Sequence, residues 1–178
     1  MPGEPTTRCF IACWPGPEIA RRLEELSGSI QNSAGGRKIP RKNIHITLAF
    51  LGNLVPAQRA AAEACCPALP ESFTLTLDRI GFFKNGGIVW AGARTPDPEF
   101  VHFVEQLRYS LRRVGFRIDN RPFVPHLTLL RRARKRPRVK LDAMEWTIGD
   151  YTLATSELTP EGSHYSIVKR WSTPGDVK

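Results

Sequence analysis

Two stretches of this chain carry the same alternating pattern, and that repetition constrains the fold more than any other feature. Asn43-Ile44-His45-Ile46-Thr47-Leu48 and Pro125-His126-Leu127-Thr128-Leu129-Leu130-Arg131 each contain His-x-Thr-Leu. In a β-strand successive side chains point to opposite faces, so His45 and Thr47 share one face and Ile46 and Leu48 the other; His126, Thr128, Leu127 and Leu129 divide likewise. Each strand thus turns an apolar side to a core and presents an imidazole beside a hydroxyl, groups suited to moving protons around a bound anion. Two such strands side by side would put two imidazoles on one cleft. Either pair alone reads as a half-buried strand histidine beside a good β-former. Recurrence at the same spacing, with the same apolar partners, favours a site. The other two histidines, His102 in a helical stretch and His164 near a turn, read as structural or surface residues.

The rest of the chain supplies alternating strands and helices. Arg8 to Trp14 reads as a buried strand, and Pro17 opens a helix with Ile19, Leu23, Leu26 and Ile30 on one stripe. Residues 32–42 read as a polar loop, and Asn43 to Leu51 as the first motif strand, stopped by Gly52-Asn53. An Ala-rich helix follows over 57–66, then a strand over 73–77. Asn85-Gly86 marks a hairpin leading into a strand at 88–91. From about Asp97, a helix carries Phe100, Val104, Leu107, Leu111 and Val114 on one face and stops at Gly115. Residues 116–118 read as short and extended, 119–122 as a turn, and 123–131 as the second motif strand. Trp146 to Trp171 reads as two or three strands with a turn at Pro160-Glu161-Gly162. The separation from His45 to His126 is far too long for a solenoid repeat. The expected fold is α+β: one domain over residues 1–178, built of two duplicated α/β lobes, with antiparallel-rich sheets flanking a central cleft and helices outside.

Composition narrows the setting. At 178 residues with 41% hydrophobic content the chain can core one domain. It has no apolar run long enough for a membrane span, and Met1 to Thr7 lacks the apolar region of a signal peptide, so a cytoplasmic, membrane-free protein is expected. Cys9, Cys13, Cys65 and Cys66 have neither disulfide-framework nor zinc spacing and read as reduced thiols. The net charge of +9, from 26 Lys and Arg against 17 Asp and Glu, favours polyanionic partners. The densest basic cluster, Arg131 to Lys140, directly follows the second motif. Such a run is commonly a solvated loop; its position suggests instead a rim holding a phosphate backbone beside the cleft. Neither motif carries the carboxylates that two-metal phosphoesterases need, so no metal or other cofactor is expected.

The stretches Asn43 to Gly52 and Asn120 to Arg131 resemble the paired HxTx motifs of the 2H phosphoesterase superfamily. Within it they are most similar to the bacterial and archaeal RNA 2′,3′-cyclic phosphodiesterases once named 2′-5′ RNA ligases. Residues 8–12, 73–78, 89–92 and 164–171 extend the resemblance over nearly the whole chain. It implies a bilobal fold with the histidines facing across a cleft, and opening of a 2′,3′-cyclic phosphate at an RNA end to leave a 2′-phosphate. The expected partner is RNA with such ends, tRNA fragments included, and no protein partner is expected.

The chemistry of these residues agrees. Opening a cyclic phosphodiester with water needs a base on the attacking side and an acid at the departing oxygen, and two imidazoles can divide those tasks near neutral pH. The resemblance implies His126 as the base and His45 as the acid; the sequence alone leaves their order open. Thr47 and Thr128 suit the non-bridging phosphate oxygens. Arg131 matches a phosphate-contacting arginine of the family, yet strict alternation puts it on the face opposite His126, so the strand must bulge, twist or end before it. By the same parity Phe50 falls on the face opposite His45 and reads as core. Two other readings share the motifs: an ATP-independent 2′-5′ ligase acting on tRNA halves, and an RNA-end-binding protein without turnover. Intact His and Thr in both motifs argue against the latter.

Overall fold

The computed structural model describes residues 4–160 and 162–174. Its strands, in chain order, are β1 (Thr7–Cys13), β2 (Arg37–Lys38), β3 (Ile46–Leu54), β4 (Phe73–Leu77), β5 (Arg79–Phe83), β6 (Ile88–Gly92), β7 (His126–Arg131), β8 (Met144–Ile148), β9 (Asp150–Thr159) and β10 (Gly162–Ser172). The helices are α1 (Pro17–Ala34), α2 (Pro56–Cys65) and α3 (Pro98–Arg113), with a 3₁₀ turn at Arg41–Asn43. The fold is α+β, as expected.

Eight strands form one antiparallel sheet in the order β10-β9-β1-β3-β7-β6-β5, with β2 added on β7; β4 and β8 make a separate ribbon. The two motif strands, β3 and β7, lie side by side at its centre and meet through the pair Ile46–Leu127. One face of the sheet rests on the helices. Leu23 and Ile30 of α1 and Phe100, Val104, Leu107 and Leu111 of α3 join Ile46, Leu48, Leu127, Leu129 and Leu130 in the main core. The apolar periodicity of both helices is what this packing uses. Each helix opens on proline in its first turn, and Asp97 caps α3 by accepting the Glu99 N–H at 2.9 Å. The other face carries a small cluster of Phe10, Ala12 and Ala154, flanked by Trp14 and Tyr165.

Several boundaries differ from the sequence reading. The polar loop is partly ordered: α1 runs to Ala34, and Arg37–Lys38 pairs with Arg131 and Leu130 of β7. Gly52-Asn53 does not stop the first motif strand, because Gly52 takes φ 82°, a left-handed conformation open to glycine, and lets β3 continue to Leu54. Residues 116–118 form no strand, and a further strand, β5, stands ahead of the hairpin turn. The C-terminal region is three strands, β8 to β10; Glu161, central to the turn expected there, lies outside the described residues, as do Met1 to Gly3 of the N-terminal stretch. Cys9, Cys13 and Cys66 are buried, Cys65 is half-buried, and all four are free thiols.

Candidate active site

His45 immediately precedes β3 and His126 begins β7, so the seam between the two strands brings both imidazoles to one cleft of about 780 Å³. Each ring is oriented by its own chain. Nδ1 of His45 lies 2.8 Å from the Asn43 carbonyl, and Nδ1 of His126 lies 2.7 Å from the Val124 carbonyl, two residues back in each case. A carbonyl only accepts, so Nδ1 carries the hydrogen in both rings, and in the neutral form Nε2 holds a free lone pair. Nε2 of His45 is 3.0 Å from Thr47 Oγ1, whose hydroxyl can donate to it. The Asn43 side chain is itself buried, and its Nδ2 donates to the Ser163 carbonyl of β10 at 2.7 Å, tying that strand to the motif.

Both rings are collared by aromatics from distant strands. Phe10, Trp14 and Tyr165 lie with ring centroids 5.1, 5.2 and 5.4 Å from His45. Phe83 and Trp90 lie 5.4 and 5.9 Å from His126, both edge-on. These collars strip water from the imidazoles. Burial is the largest cause that lowers the His45 pKa to about 4; the Asn43 carbonyl opposes it, while Arg131 and His126 add to it. His126 is lowered too, mainly by burial and also by Arg131, with the Val124 carbonyl opposing. In the free protein at pH 7 both rings are therefore neutral.

The two parity conflicts resolve through one structural device. Along β3, Thr47 pairs with Ala12 and Ala49 with Ile11, leaving Leu48 as an extra residue without a partner in β1. Along β7, Thr128 pairs with Trp90 and Leu130 with Val89, leaving Leu129 extra. A bulge of one residue inverts the alternation beyond it. Phe50, expected in the core, is instead 57% exposed and lines the cleft on the side of His45 and Thr47. Arg131 likewise emerges beside His126 and Thr128. The two motifs thus present His, Thr and a third group in the same order, a phenyl in one and a guanidinium in the other.

Five cations, Arg8, Arg37, Lys38, Lys42 and Arg131, line the cleft, and among the described residues no carboxylate does. His164, read from sequence as structural or surface, is exposed and stands at the cleft wall, while His102 is exposed on α3. Of the basic run after the second motif, only Arg131 lines this cleft. Arg132, Arg134 and Arg136 surround a second, open groove of about 580 Å³ with Lys84 and Phe82. The aromatic collars escape a reading of the sequence as contacts, although residues 8–12, 89–92 and 164–171, which share the family resemblance, carry part of the signal. The cations Arg37 and Lys38 stand in the polar loop just ahead of the first motif, but nothing in the sequence pairs that loop with β7. No helix of the described residues is long and apolar enough to cross a membrane.

Comparison with known proteins fits this geometry. A family model described as the 2′-5′ RNA ligase superfamily matches residues 15–163. An RNA 2′,3′-cyclic phosphodiesterase of Escherichia coli K12 is 33% identical over 168 residues, covering 93% of this chain and 96% of the relative. A Thermus thermophilus protein of the same name is 30% identical, covering 95% and 91%. Among solved structures, Escherichia coli LigT in apo form superposes with a TM-score of 0.84 at 30% identity, covering 96% of this chain and 99% of LigT. LigT complexed with 3′-AMP gives 0.84 at 29% identity, with 94% and 98% covered. The family match over most of the chain, the relatives and the shared fold lead to one statement: this chain belongs to the 2′-5′ RNA ligase superfamily.

Proposed function

We infer that this protein is an RNA 2′,3′-cyclic phosphodiesterase, opening cyclic phosphate ends to 2′-phosphomonoesters with two histidines and no metal. The observation that carries this reading is the pair of imidazoles, each tied through Nδ1 to the carbonyl two residues back, lining one cation-rich cleft. Names and structures of the relatives support it. A neutral Nε2 on His126 takes the proton of the attacking water, and protonated His45 gives its proton to the departing 3′ oxygen. Thr47, Thr128 and Arg131 hold the non-bridging oxygens as charge builds on them. Because the free protein keeps His45 neutral down to about pH 4, its acid role depends on the substrate. The anionic phosphodiester between the rings favours the imidazolium and draws a proton onto the pair.

The same reading treats the 178 residues as one cytoplasmic domain of two pseudo-symmetric lobes, each delivering one motif. Its substrate is an RNA terminus, tRNA fragments among them. The second groove would hold the strand leading away from that terminus. Among the described residues, Lys84, Arg132, Arg134 and Arg136 form no ion pair, whereas eight arginines elsewhere do. The groove is also fixed in place: Arg132 sits at φ 58°, pinned by its N–H to the Gly86 carbonyl, and the Ala133 N–H donates to the Gly87 carbonyl. Positioned cations of this kind, with no carboxylate partner, suit backbone phosphates.

The test is incubation of the purified protein, in EDTA, with a short RNA ending in a 2′,3′-cyclic phosphate. The reading predicts a 2′-phosphate product. A 3′-phosphate product, or no turnover by folded protein, would refute it.

A further inference from the structure

Leu48, the extra residue of the bulge that brings Phe50 into the cleft, has no partner residue in β1. Its carbonyl is bound by a side chain from α3. Arg108, reaching up from α3, donates from Nε to the Leu48 carbonyl at 2.7 Å. Its Nη1 lies 3.3 Å from the Arg121 carbonyl, on the approach to the second motif, and the guanidinium stacks 4.8 Å from the centre of the Phe123 ring. Glu105, one turn earlier on α3, completes the arrangement: its Oε1 is 3.5 Å from Arg108 Nη1 and accepts the Phe123 N–H at 3.0 Å. With 12% of its side chain exposed, Arg108 is the most buried of the ion-paired arginines among the described residues.

We propose that Arg108 is a positioning residue for the reaction: a strut beneath the sheet that holds the Leu48 bulge, and through it Phe50, in register with the segment leading into His126. It touches no substrate. Its planar fork suits the task, since one guanidinium meets a carbonyl of the first motif strand and one on the approach to the second at once. Without it, the buried carbonyl of Leu48 is left unpaired, and β3 gains by returning to regular alternation, which turns Phe50 away from the cleft. Placement errors of about 1 Å near reacting groups can cost about 100-fold in rate.

The catalytic part of this proposal rests on the phosphodiesterase reading above. The experiment is a double-mutant cycle of Arg108→Gln and Phe50→Ala, read as kcat/KM on a cyclic-phosphate RNA. Alongside it, the nuclear Overhauser effect between the Phe50 and Phe10 rings is followed in the free protein. Those rings stand 6.2 Å apart in the native fold. The expected result is a fall of about 100-fold in R108Q, a smaller fall in F50A, and a double variant no worse than R108Q. The Overhauser effect between the two rings should vanish in R108Q. Multiplicative effects in the cycle, or an unchanged Overhauser effect in folded R108Q, would overturn the proposal. If wild-type protein shows no turnover, the phosphodiesterase reading fails, and the Overhauser effect still decides whether Arg108 holds the bulge. Should R108Q not fold, the same cycle with Arg108→Lys replaces it, because an ammonium lacks the fork, and the same two outcomes apply.

Discussion

In β3 the extra residue is Leu48, and its carbonyl accepts a side-chain guanidinium; in β7 it is Leu129, whose carbonyl accepts the main-chain N–H of Ile39 at 2.8 Å. The same bulge thus has two kinds of support. Beyond it, one strand presents Phe50 and the other Arg131. Before it, each places His and Thr at the same spacing, with the same Nδ1 hydrogen bond to the carbonyl two residues back, while only His45 also meets its threonine, through Nε2. The duplicated part of the site is the acid–base and phosphate-holding part, where a near-symmetric phosphodiester needs equivalent groups on its two sides. The part that diverges lies farther out, where an RNA terminus offers a base on one side and charge on the other.

The largest effects should come from breaking the symmetric part. His45→Ala and His126→Ala should each lower kcat by about 10²- to 10⁴-fold while RNA affinity changes little. Activity near the wild-type level in either variant would show that the two motifs are not partners in one reaction. Next come the hydroxyls. Thr47→Val and Thr128→Val should each cost about 10²-fold in kcat, since both remove a hydrogen bond to developing charge. Only Thr47→Val should also disturb the free His45 ring, whose Nε2 the Thr47 hydroxyl meets; imidazole NMR shifts in both variants would check this.

Gly92→Ala should sharpen the contrast between the two collars. Gly92 pairs with His126, and a Cβ there would stand 2.7 Å from the Pro125 carbonyl and 2.9 Å from the Trp90 ring. The variant should lose roughly 1–3 kcal/mol of stability, measured by denaturant unfolding, and should lower turnover by moving His126. Trp90 itself lies flat over Gly81, where a Cβ would meet the ring at 2.0 Å. The smallest effect on chemistry should come from the second groove. Replacing Arg132, Arg134 and Arg136 together by Gln should flatten the salt dependence of RNA affinity by about 2 in log–log slope and leave kcat unchanged. An unchanged slope would make the run a solvated loop.

The pH dependence follows from the lowered imidazole pKa values. In the free protein both rings lose their proton below the usual 6.5, so kcat/KM, which reports free-protein groups, should peak on the acid side of 6.5. The kcat optimum should lie higher, because bound phosphate raises both rings. Stability carries a definite sign as well. The folded state binds fewer protons at His45 than the unfolded chain does between about pH 4 and 6.5, so stability is fully present above 6.5 and declines as pH falls through that window.

Much of this site was legible in the sequence because its information is local. His-x-Thr-Leu fixes two side chains on one face of one strand, and the apolar stripes of α1 and α3 fix what lies beneath. Beyond the threonines the alternation rule fails, because an extra Leu in Thr47-Leu48-Ala49 or Thr128-Leu129-Leu130 looks like any other core residue. A bulge is a property of the partner strand's register, and only the pairing with β1 and β6 reveals it. Phe50 was misplaced for that reason, and Arg131 required a bulge that the sequence could demand but not locate. The aromatic collars were hidden differently: Phe10, Tyr165, Phe83 and Trp90 come from strands far apart in sequence, and only the sheet order β10-β9-β1-β3-β7-β6-β5 brings them to the histidines. Two-residue β2 was unreadable because a strand so short has no periodicity.

The two motifs aim like-oriented imidazoles, both neutral in the free protein, at one phosphate, and a ¹⁵N NMR titration of the histidine side chains, free and with a nucleoside 2′-phosphate, tests this most directly. In the free protein His45 and His126 should both be neutral with hydrogen on Nδ1 at pH 7 and both titrate below 6.5, and both should shift upward together when the phosphate binds. Rings that titrate at or above 6.5 in the free protein, or a phosphate that moves one ring and leaves the other untouched, would contradict it.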